Sequence, residues 1–177
     1  MRIITSGGNI VNLLGDYKVD IVDIVTSLSQ IPRWTGHCKR YSVAQHSVLV
    51  SRLLPSHLAF QGLMHDAHEY ITNDVSGPVK EVLEHLAPNS WNRFEHMIAS
   101  KVRRHFSLPP DLHSMVKAVD TRVQAYEIAS LFTPEAKQAA ISIGLDIDYS
   151  RPIVPLSAEA AYDEFMHRYV ELGPNYV

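Results

Sequence analysis

Five residues in the middle of the chain have side chains that could bind a metal ion or transfer a proton. The segment GLMHDAHEYITND contains the adjacent pair His65 and Asp66, followed by Glu69. His46 precedes this segment, and Asp120 follows it. A mixed set of imidazole and carboxylate groups suits Mn, Co, Fe, Ni or Zn, and leaves coordination positions for water and a phosphate oxygen. This chemistry requires that the fold bring these separate segments together.

Capping and hydrophobic periodicity place His46 on a helix. Ser42 and Gln45 have the S-x-x-Q spacing of a capping box, which predicts that a helix begins at Val43. Along that helix His46 shares a face with aliphatic residues, so we expect its ring to point into the interior.

The segment with the adjacent histidine and aspartate is also predicted to be helical. One continuous helix is predicted from His57 to Tyr70. In such a helix His65 and Glu69 lie on one side, and Asp66 lies about 100° away around the axis. The adjacent pair could therefore bind the same ion from neighbouring directions.

The last of these residues, Asp120, lies in a long helix that Asp111 is expected to cap. Val116 and Val123 lie on the same side of this helix as Asp120, so its carboxylate should face the interior. Buried charges are unfavourable unless they pair, neutralise or share a cation. One divalent ion would satisfy the acids and imidazoles of all three helices together.

Each of these residues taken alone also has a purely structural explanation. A single histidine on an apolar face is usually a hydrogen-bonded core residue, so His46 by itself proves little. Asp120 could form an ion pair with Arg103 or Arg122. The coincidence of such groups on three successive helices favours a metal site over these alternatives.

The remaining pattern predicts an all-α bundle with a small β-hairpin at its N-terminus, forming a single domain over residues 1–177. Two short β-branched runs flank Ser6-Gly7-Gly8 and predict the hairpin. Further helices are predicted after an N-cap at Asp20, around Pro78, within residues 87–106, after Thr133 and after an N-cap at Ser157.

Composition restricts the classes of partner and the cell compartment. The net charge of -3 gives no basic surface, so we expect no nucleic acid polymer as a partner, and a nucleotide would be bound by a few placed basic groups. Cys38 is the only cysteine, and the first residues lack the apolar core of a secretory signal, so a cytoplasmic location is expected. No apolar run approaches the roughly 20 residues of a membrane span.

The order His46, His65-Asp66, Asp120 resembles that of the HD-domain metal-dependent phosphohydrolases, over about residues 24–126. The stretches SQIPRWTGH, YSVAQHSVLVSRLL, GLMHDAHEYITNDVSGPVK and VKAVDTR are similar to those of small members that act on nucleotides. These members are the bacterial 5'-deoxynucleotidases and the small phage-type dATP triphosphohydrolases. The resemblance implies an HD-domain helical bundle.

The same resemblance implies roles for the five residues first considered. It makes His46, His65, Asp66 and Asp120 the ligands of a divalent ion, which could be Mn, Co, Zn, Ni, Fe or Mg. It makes Glu69 the catalytic carboxylate that activates or orients the attacking water.

Four further residues are implied to bind the substrate. Arg33 and Lys80 would contact phosphate oxygens, and Trp34 would pack against the sugar and disfavour a 2'-hydroxyl. Asp74 would accept a hydrogen bond from the 3'-hydroxyl. His68 stands where the relatives usually have a small residue, and no role is assigned to it.

The expected activity is metal-dependent hydrolysis of deoxynucleotide phosphate esters. A dNTP substrate, with dATP as the best candidate, is favoured because the hairpin start and the GH…YSVAQHS arrangement are similar to the phage-type branch. Lys39 and Arg40 could contact the β- and γ-phosphates. A 5'-deoxynucleotidase acting on dNMPs and a catalytically idle nucleotide-binding module remain as alternatives. The resemblance also suggests a homo-oligomer, and the host cytoplasm as its location if a phage encodes the chain.

Overall fold

The computed structural model describes residues 1–173 and confirms an all-α bundle that follows a small N-terminal hairpin. Its elements in chain order are β1 (Arg2–Ile4), β2 (Ile10–Asn12), α1 (Ile21–Gln30), α2 (Val43–Leu53), α3 (Ser56–Leu63), α4 (Glu69–Thr72), α5 (Gly77–Leu86), α6 (Ser90–His105), α7 (Ser114–Leu131), α8 (Pro134–Ser142) and α9 (Ala158–Leu172). Within the described residues, none of the helices combines the length and the apolar character needed to cross a bilayer.

Helices α1 and α2 begin at the residues that their capping signals predict. The side chain of Asp20 caps α1, and Ser42 Oγ accepts a hydrogen bond from the backbone N–H of Gln45 at 3.2 Å. The reciprocal half of the capping box is not formed. The Gln45 amide instead donates to the carbonyl of Val154 at 2.8 Å and accepts from the N–H of Leu156 at 3.0 Å. This residue therefore ties the segment before α9 to α2.

The predicted cap of α7 at Asp111 is wrong. His113 is the N-cap, and its Nδ1 accepts a hydrogen bond from the N–H of Met115 at 3.1 Å. The Gln61 side chain on α3 fixes this loop, because it donates to the carbonyl of Asp111 at 3.1 Å and accepts from the N–H of His113 at 3.0 Å. A tertiary contact thus sets the start of α7 two residues later than the local signal indicates.

The single helix predicted over His57–Tyr70 is also wrong. Residues 64–68 form tight turns between α3 and α4. His65 Nδ1 donates a hydrogen bond to the carbonyl of Gly62 at 2.7 Å. A continuing α-helix would direct the N–H of Asp66 to that same carbonyl, so the histidine side chain competes with the helical hydrogen bond.

The core places α2 at the centre of the bundle. One apolar cluster includes Val25, Val43 and Phe165 and joins α2 to α1 and α9, while a second includes Val50 and Val123 and joins α2 to α7. All five side chains are essentially inaccessible to solvent, which fixes the orientation of α2.

Helix α3 packs very closely against α2 through Gly62. A Cβ atom at this position would collide with the Leu54 side chain and would approach the Ser51 Cα to 3.4 Å. The absence of a side chain therefore permits the close approach that brings the turn containing His65 next to α2.

Candidate metal centre

One atom from each of four side chains points to the same place between α2, the turn after α3, and α7. His46 Nε2 lies 3.3 Å from His65 Nε2 and 3.1 Å from Asp120 Oδ1. Asp66 Oδ2 lies 3.1 Å from His65 Nε2 and 3.7 Å from His46 Nε2. Ligands that each lie about 2.0 to 2.2 Å from one ion are separated from their neighbours by about 3 to 3.5 Å. The atoms of His46, His65 and Asp66 are thus spaced much as ligands around a cation. Asp120 Oδ1 lies next to His46 Nε2 but 4.0 Å from His65 Nε2, at the edge of this group.

The charges of this cluster also fit a cation. His46 is completely buried, and Asp120 Oδ1 is buried without a hydrogen-bond partner. Burial raises the pKa of Asp66, but His65 and His46 outweigh that effect and hold the pKa well below its ordinary value. Burial also raises the pKa of Asp120, but His46, whose Nε2 lies 3.1 Å from Oδ1, outweighs that effect together with His65, so this pKa is lowered too. Two ionised carboxylates therefore face two imidazoles in an environment that a divalent ion would neutralise.

Both histidine rings are held by their other nitrogen. His65 Nδ1 donates to the Gly62 carbonyl at 2.7 Å, and His46 Nδ1 donates to Glu127 Oε1 at 2.6 Å. In the neutral form that binds a metal an imidazole carries one proton, so with Nδ1 donating, the Nε2 lone pair of each ring would be directed at the common point. This is the usual arrangement of metal-bound histidines.

Glu127, which is completely buried, was not among the site residues predicted from the sequence. Its Oε2 accepts a hydrogen bond from Trp34 Nε1 at 2.8 Å and lies 3.6 Å from an Arg33 guanidinium nitrogen. Burial raises the pKa of Glu127, but Arg33 and His46 hold it below the ordinary value. The sequence does indicate that Glu127 lies on the same helical face as Asp120, because the two are seven residues apart.

Arg33 and Asp74, both predicted to bind substrate, lie beside the cluster. An Arg33 guanidinium nitrogen is 3.9 Å from Asp66 Oδ2 and 3.6 Å from Asp74 Oδ2. Arg33 Nε is buried and has no hydrogen-bond partner. Trp34 is half-buried and has left-handed backbone angles of φ 56° and ψ 34°. Arg33 therefore links Asp66, Asp74 and Glu127, and Trp34 joins this group through Glu127.

Glu69 is a buried carboxylate that lies near two acids, Asp66 and Asp74, and two bases, Arg33 and Lys80. Its side chain is nearly inaccessible, and Oε2 has no hydrogen-bond partner. Burial raises its pKa well above the ordinary value, Asp66 and Asp74 add to this effect, and Arg33 and Lys80 oppose it. A raised pKa makes a carboxylate a stronger proton acceptor, which is the property that a general base needs.

A pocket of about 270 Å³ opens beside His65, Asp66 and Glu69. Its far wall comes from α6, which contributes Asn92, Glu95, His96, Ala99 and Arg103. These residues recur at the spacing of one helical face, so the polar stripe is visible in the sequence. The helix predicted within residues 87–106 was not expected to contribute to the site.

Lys80 also lines the pocket, but it has a protein partner. Its Nζ donates to Glu95 Oε1 at 2.6 Å, and His68 Nε2 lies 3.4 Å from the same oxygen. Burial raises the pKa of Glu95, but the hydrogen bonds from His68 and Lys80 outweigh it and lower the pKa to about 2. Lys39 and Arg40, considered as contacts for distal phosphates, are exposed and do not line this pocket.

The chain is similar to uncharacterized bacterial proteins. It is 37% identical over 159 residues to the uncharacterized protein YfdR of Escherichia coli (strain K12). This alignment covers 88% of this chain and 86% of YfdR. It is 30% identical over 135 residues to an uncharacterized protein of Rhodobacter capsulatus, which covers 67% of each chain. No protein-family model matches the chain.

Proposed function

We propose that this chain, which belongs to the same family as the uncharacterized protein YfdR of Escherichia coli, is a metal-dependent phosphohydrolase of deoxynucleotides. One observation carries the proposal: His46 Nε2, His65 Nε2 and Asp66 Oδ2 converge with the spacing of ligands around a cation, and Asp120 Oδ1 lies 3.1 Å from His46 Nε2. The resemblance of these segments to HD-domain phosphohydrolases supports the same chemistry.

The chain's own groups divide the work of hydrolysis among them. A divalent cation, when bound by the four ligands, supplies Lewis acidity towards a phosphoryl oxygen. Glu69 lines the pocket and has an oxygen without a hydrogen-bond partner, so it accepts the proton of the attacking water. Arg33, with its unpaired Nε, offsets negative charge that develops on the phosphate oxygens.

For the substrate we propose a deoxynucleoside triphosphate, with dATP as the best candidate. In this proposal Trp34 packs against the deoxyribose, Asp74 accepts a hydrogen bond from the 3'-hydroxyl, and Lys80 contacts phosphate. The enzyme would act on the cytoplasmic nucleotide pool, in the host cytoplasm if a phage encodes it, and as a homo-oligomer.

Pocket size supports a second candidate, a 5'-deoxynucleotidase that acts on dNMPs. The volume of about 270 Å³ is just below the range of about 300 to 1,000 Å³ that is usual for small-molecule sites. A monophosphate fits this space more easily than a triphosphate, whose distal phosphates would extend into solvent.

The test is to incubate the purified protein with Mn²⁺ or Co²⁺ and, separately, with the four dNTPs, the four dNMPs and ATP. Ion-exchange chromatography then resolves the products. Asp66→Ala removes a ligand and should be inactive, whereas Asp163→Asn changes an exposed carboxylate of α9 and should retain activity.

Each result separates one candidate from the others. Consumption of dATP with release of triphosphate or of successive phosphates supports the triphosphohydrolase. Turnover of dNMPs alone supports the 5'-deoxynucleotidase. If no nucleotide is consumed with any metal, the enzyme proposal fails and a catalytically idle binding module replaces it.

A further inference from the structure

We propose that Glu127 is a positioning residue whose two carboxylate oxygens couple the metal ligand His46 to the substrate-binding residue Trp34. The inference rests on the proposed function, because it assumes that a cation binds at His46 Nε2. Glu127 does not contact the cation position itself, since its Oε1 is bonded to Nδ1, on the other side of the His46 ring from Nε2. It acts through the groups that it holds.

The first oxygen determines which nitrogen of His46 carries the proton. Oε1 lies 2.6 Å from His46 Nδ1, and both side chains are completely buried. An ionised carboxylate can only accept a hydrogen bond, so Nδ1 carries a proton and Nε2 is the nitrogen left for the cation. Glu127 therefore keeps the ring in the tautomer and orientation that a metal ligand needs.

The second oxygen holds Trp34 in an unfavourable backbone conformation. Trp34 has φ 56° and the next residue, Thr35, has φ 53°, a left-handed region that bulky and β-branched residues rarely adopt. The Trp34 Nε1 hydrogen bond to Glu127 Oε2 at 2.8 Å holds the indole here, together with edge contact to Phe132 at a ring-centroid distance of 5.2 Å. The buried carboxylate thus fixes the turn that presents Arg33 and Trp34.

Arg33 explains why Glu127 can be charged at this depth. Its guanidinium nitrogen lies 3.6 Å from Glu127 Oε2, and Arg33 is itself buried. The same guanidinium lies near Asp66 and Asp74, so its positive charge offsets the negative charge of more than one carboxylate. A substitution that removes the charge of Glu127 therefore changes Arg33 as well, and the test must separate these effects.

Glu127→Gln is the decisive variant because glutamine has one acceptor oxygen and one NH₂ group. It cannot accept hydrogen bonds from both Trp34 Nε1 and His46 Nδ1. If its NH₂ faces His46, it favours the tautomer with the proton on Nε2, where the cation should bind. We expect Co²⁺ affinity, measured by calorimetry, to fall about 10- to 100-fold, with a changed visible absorption spectrum of the bound Co²⁺.

Two further variants separate positioning from folding. Glu127→Asp keeps the negative charge beside Arg33 but withdraws the carboxylate by one methylene group, so Co²⁺ affinity should again fall although the protein folds. Asp23→Asn changes another buried carboxylate, which accepts hydrogen bonds from Thr5 and Asn9 and links the hairpin to α1. It should lower thermal stability and leave Co²⁺ affinity within threefold of wild type.

The role of Trp34 is tested by the preference of the enzyme for a deoxynucleotide over the matching ribonucleotide. With Co²⁺ at saturation, Glu127→Gln should lower the ratio of kcat/KM for the deoxynucleotide to that for the matching ribonucleotide at least threefold, because Trp34 is no longer held. An unchanged ratio overturns the role assigned to Trp34.

The outcomes also distinguish this inference from the proposed function. Wild-type protein that binds Co²⁺, with Glu127→Gln and Glu127→Asp binding it within threefold of wild type, overturns the positioning role and leaves the proposed function intact. Wild-type protein that binds no divalent ion overturns both.

Discussion

The ammonium group of Lys80 lies 2.6 Å from a carboxylate oxygen of Glu95, a residue 15 positions further along the chain. His68 is directed at the same oxygen. A lysine that is expected to contact phosphate is therefore already paired with an acid from the facing helix. Substrate binding must share Lys80 with Glu95 or displace it.

We expect Glu95→Gln to lower the KM for nucleotide about two- to fivefold, because it frees Lys80 and removes a negative charge from the pocket. Steady-state kinetics with the preferred nucleotide would measure this. Glu81→Gln, which changes an exposed acid on the same helix as Lys80, is the matched control and should leave KM unchanged. A higher KM for Glu95→Gln would mean that Glu95 holds Lys80 in its binding position.

Metal binding should stabilise the protein. A ligand that binds only the folded state at 100 times its Kd adds about 2.7 kcal/mol to the free energy of unfolding, which corresponds to about 5 to 10 °C in Tm for a chain of this size. Differential scanning calorimetry with EDTA and then with excess Mn²⁺ would measure this shift. Asp120→Asn should lose the shift, whereas Asp163→Asn should keep it. An equal shift in Asp120→Asn would place the ion elsewhere.

Glu69→Gln should separate activity from stability. Loss of the proton acceptor should lower kcat about 10²- to 10⁴-fold. The same change removes a buried carboxylate with an unpaired oxygen, so the metal-free variant should gain about 1 to 3 kcal/mol in free energy of unfolding at pH 8.

This gain should depend on pH. The pKa of Glu69 is higher in the folded than in the unfolded state, so the folded state holds its proton more tightly. The wild type therefore loses stability as pH rises above the unfolded pKa of about 4.5, and the glutamine variant lacks this loss. Urea unfolding in EDTA at pH 5 and pH 8 should show a smaller difference between variant and wild type at pH 5. A difference that does not grow with pH would contradict the raised pKa.

Arg103 should contact the distal phosphates if the substrate is a triphosphate. It lines the pocket, whereas Lys39 and Arg40 are exposed outside it. Arg103→Gln should raise the KM for dATP at least threefold more than the KM for dAMP, and the double variant Lys39→Gln/Arg40→Gln should change both less than twofold. The opposite pattern would show that the loop before α2 binds the distal phosphates.

Local signals in the sequence were sufficient for most of the fold. Capping residues and helical periodicity predicted the starts of α1 and α2, and the burial of His46 followed from its place on an apolar face. These features depend on interactions within one or two turns of the chain, so they can be read without knowing the tertiary structure.

The order of the candidate ligands was likewise evident, but their geometry was not. The helix predicted through His65 and Asp66 is interrupted, because the histidine side chain occupies the Gly62 carbonyl. Periodicity describes where side chains lie on a regular helix and gives no information about a side chain that replaces a helical hydrogen bond.

Most of the elements, their order and the chemical types of the groups they carry could be predicted from the sequence alone, with the break between α3 and α4 as the exception. How those groups pair became evident from the tertiary structure: Glu127 with His46 and Trp34, and Lys80 with Glu95. Apart from Trp34, which lies in the loop before α2, these partners come from different helices, and a pairing of this kind depends on how closely and at what angle the helices pack. Packing is set by the whole core, including the missing side chain at Gly62, which lets α3 approach α2.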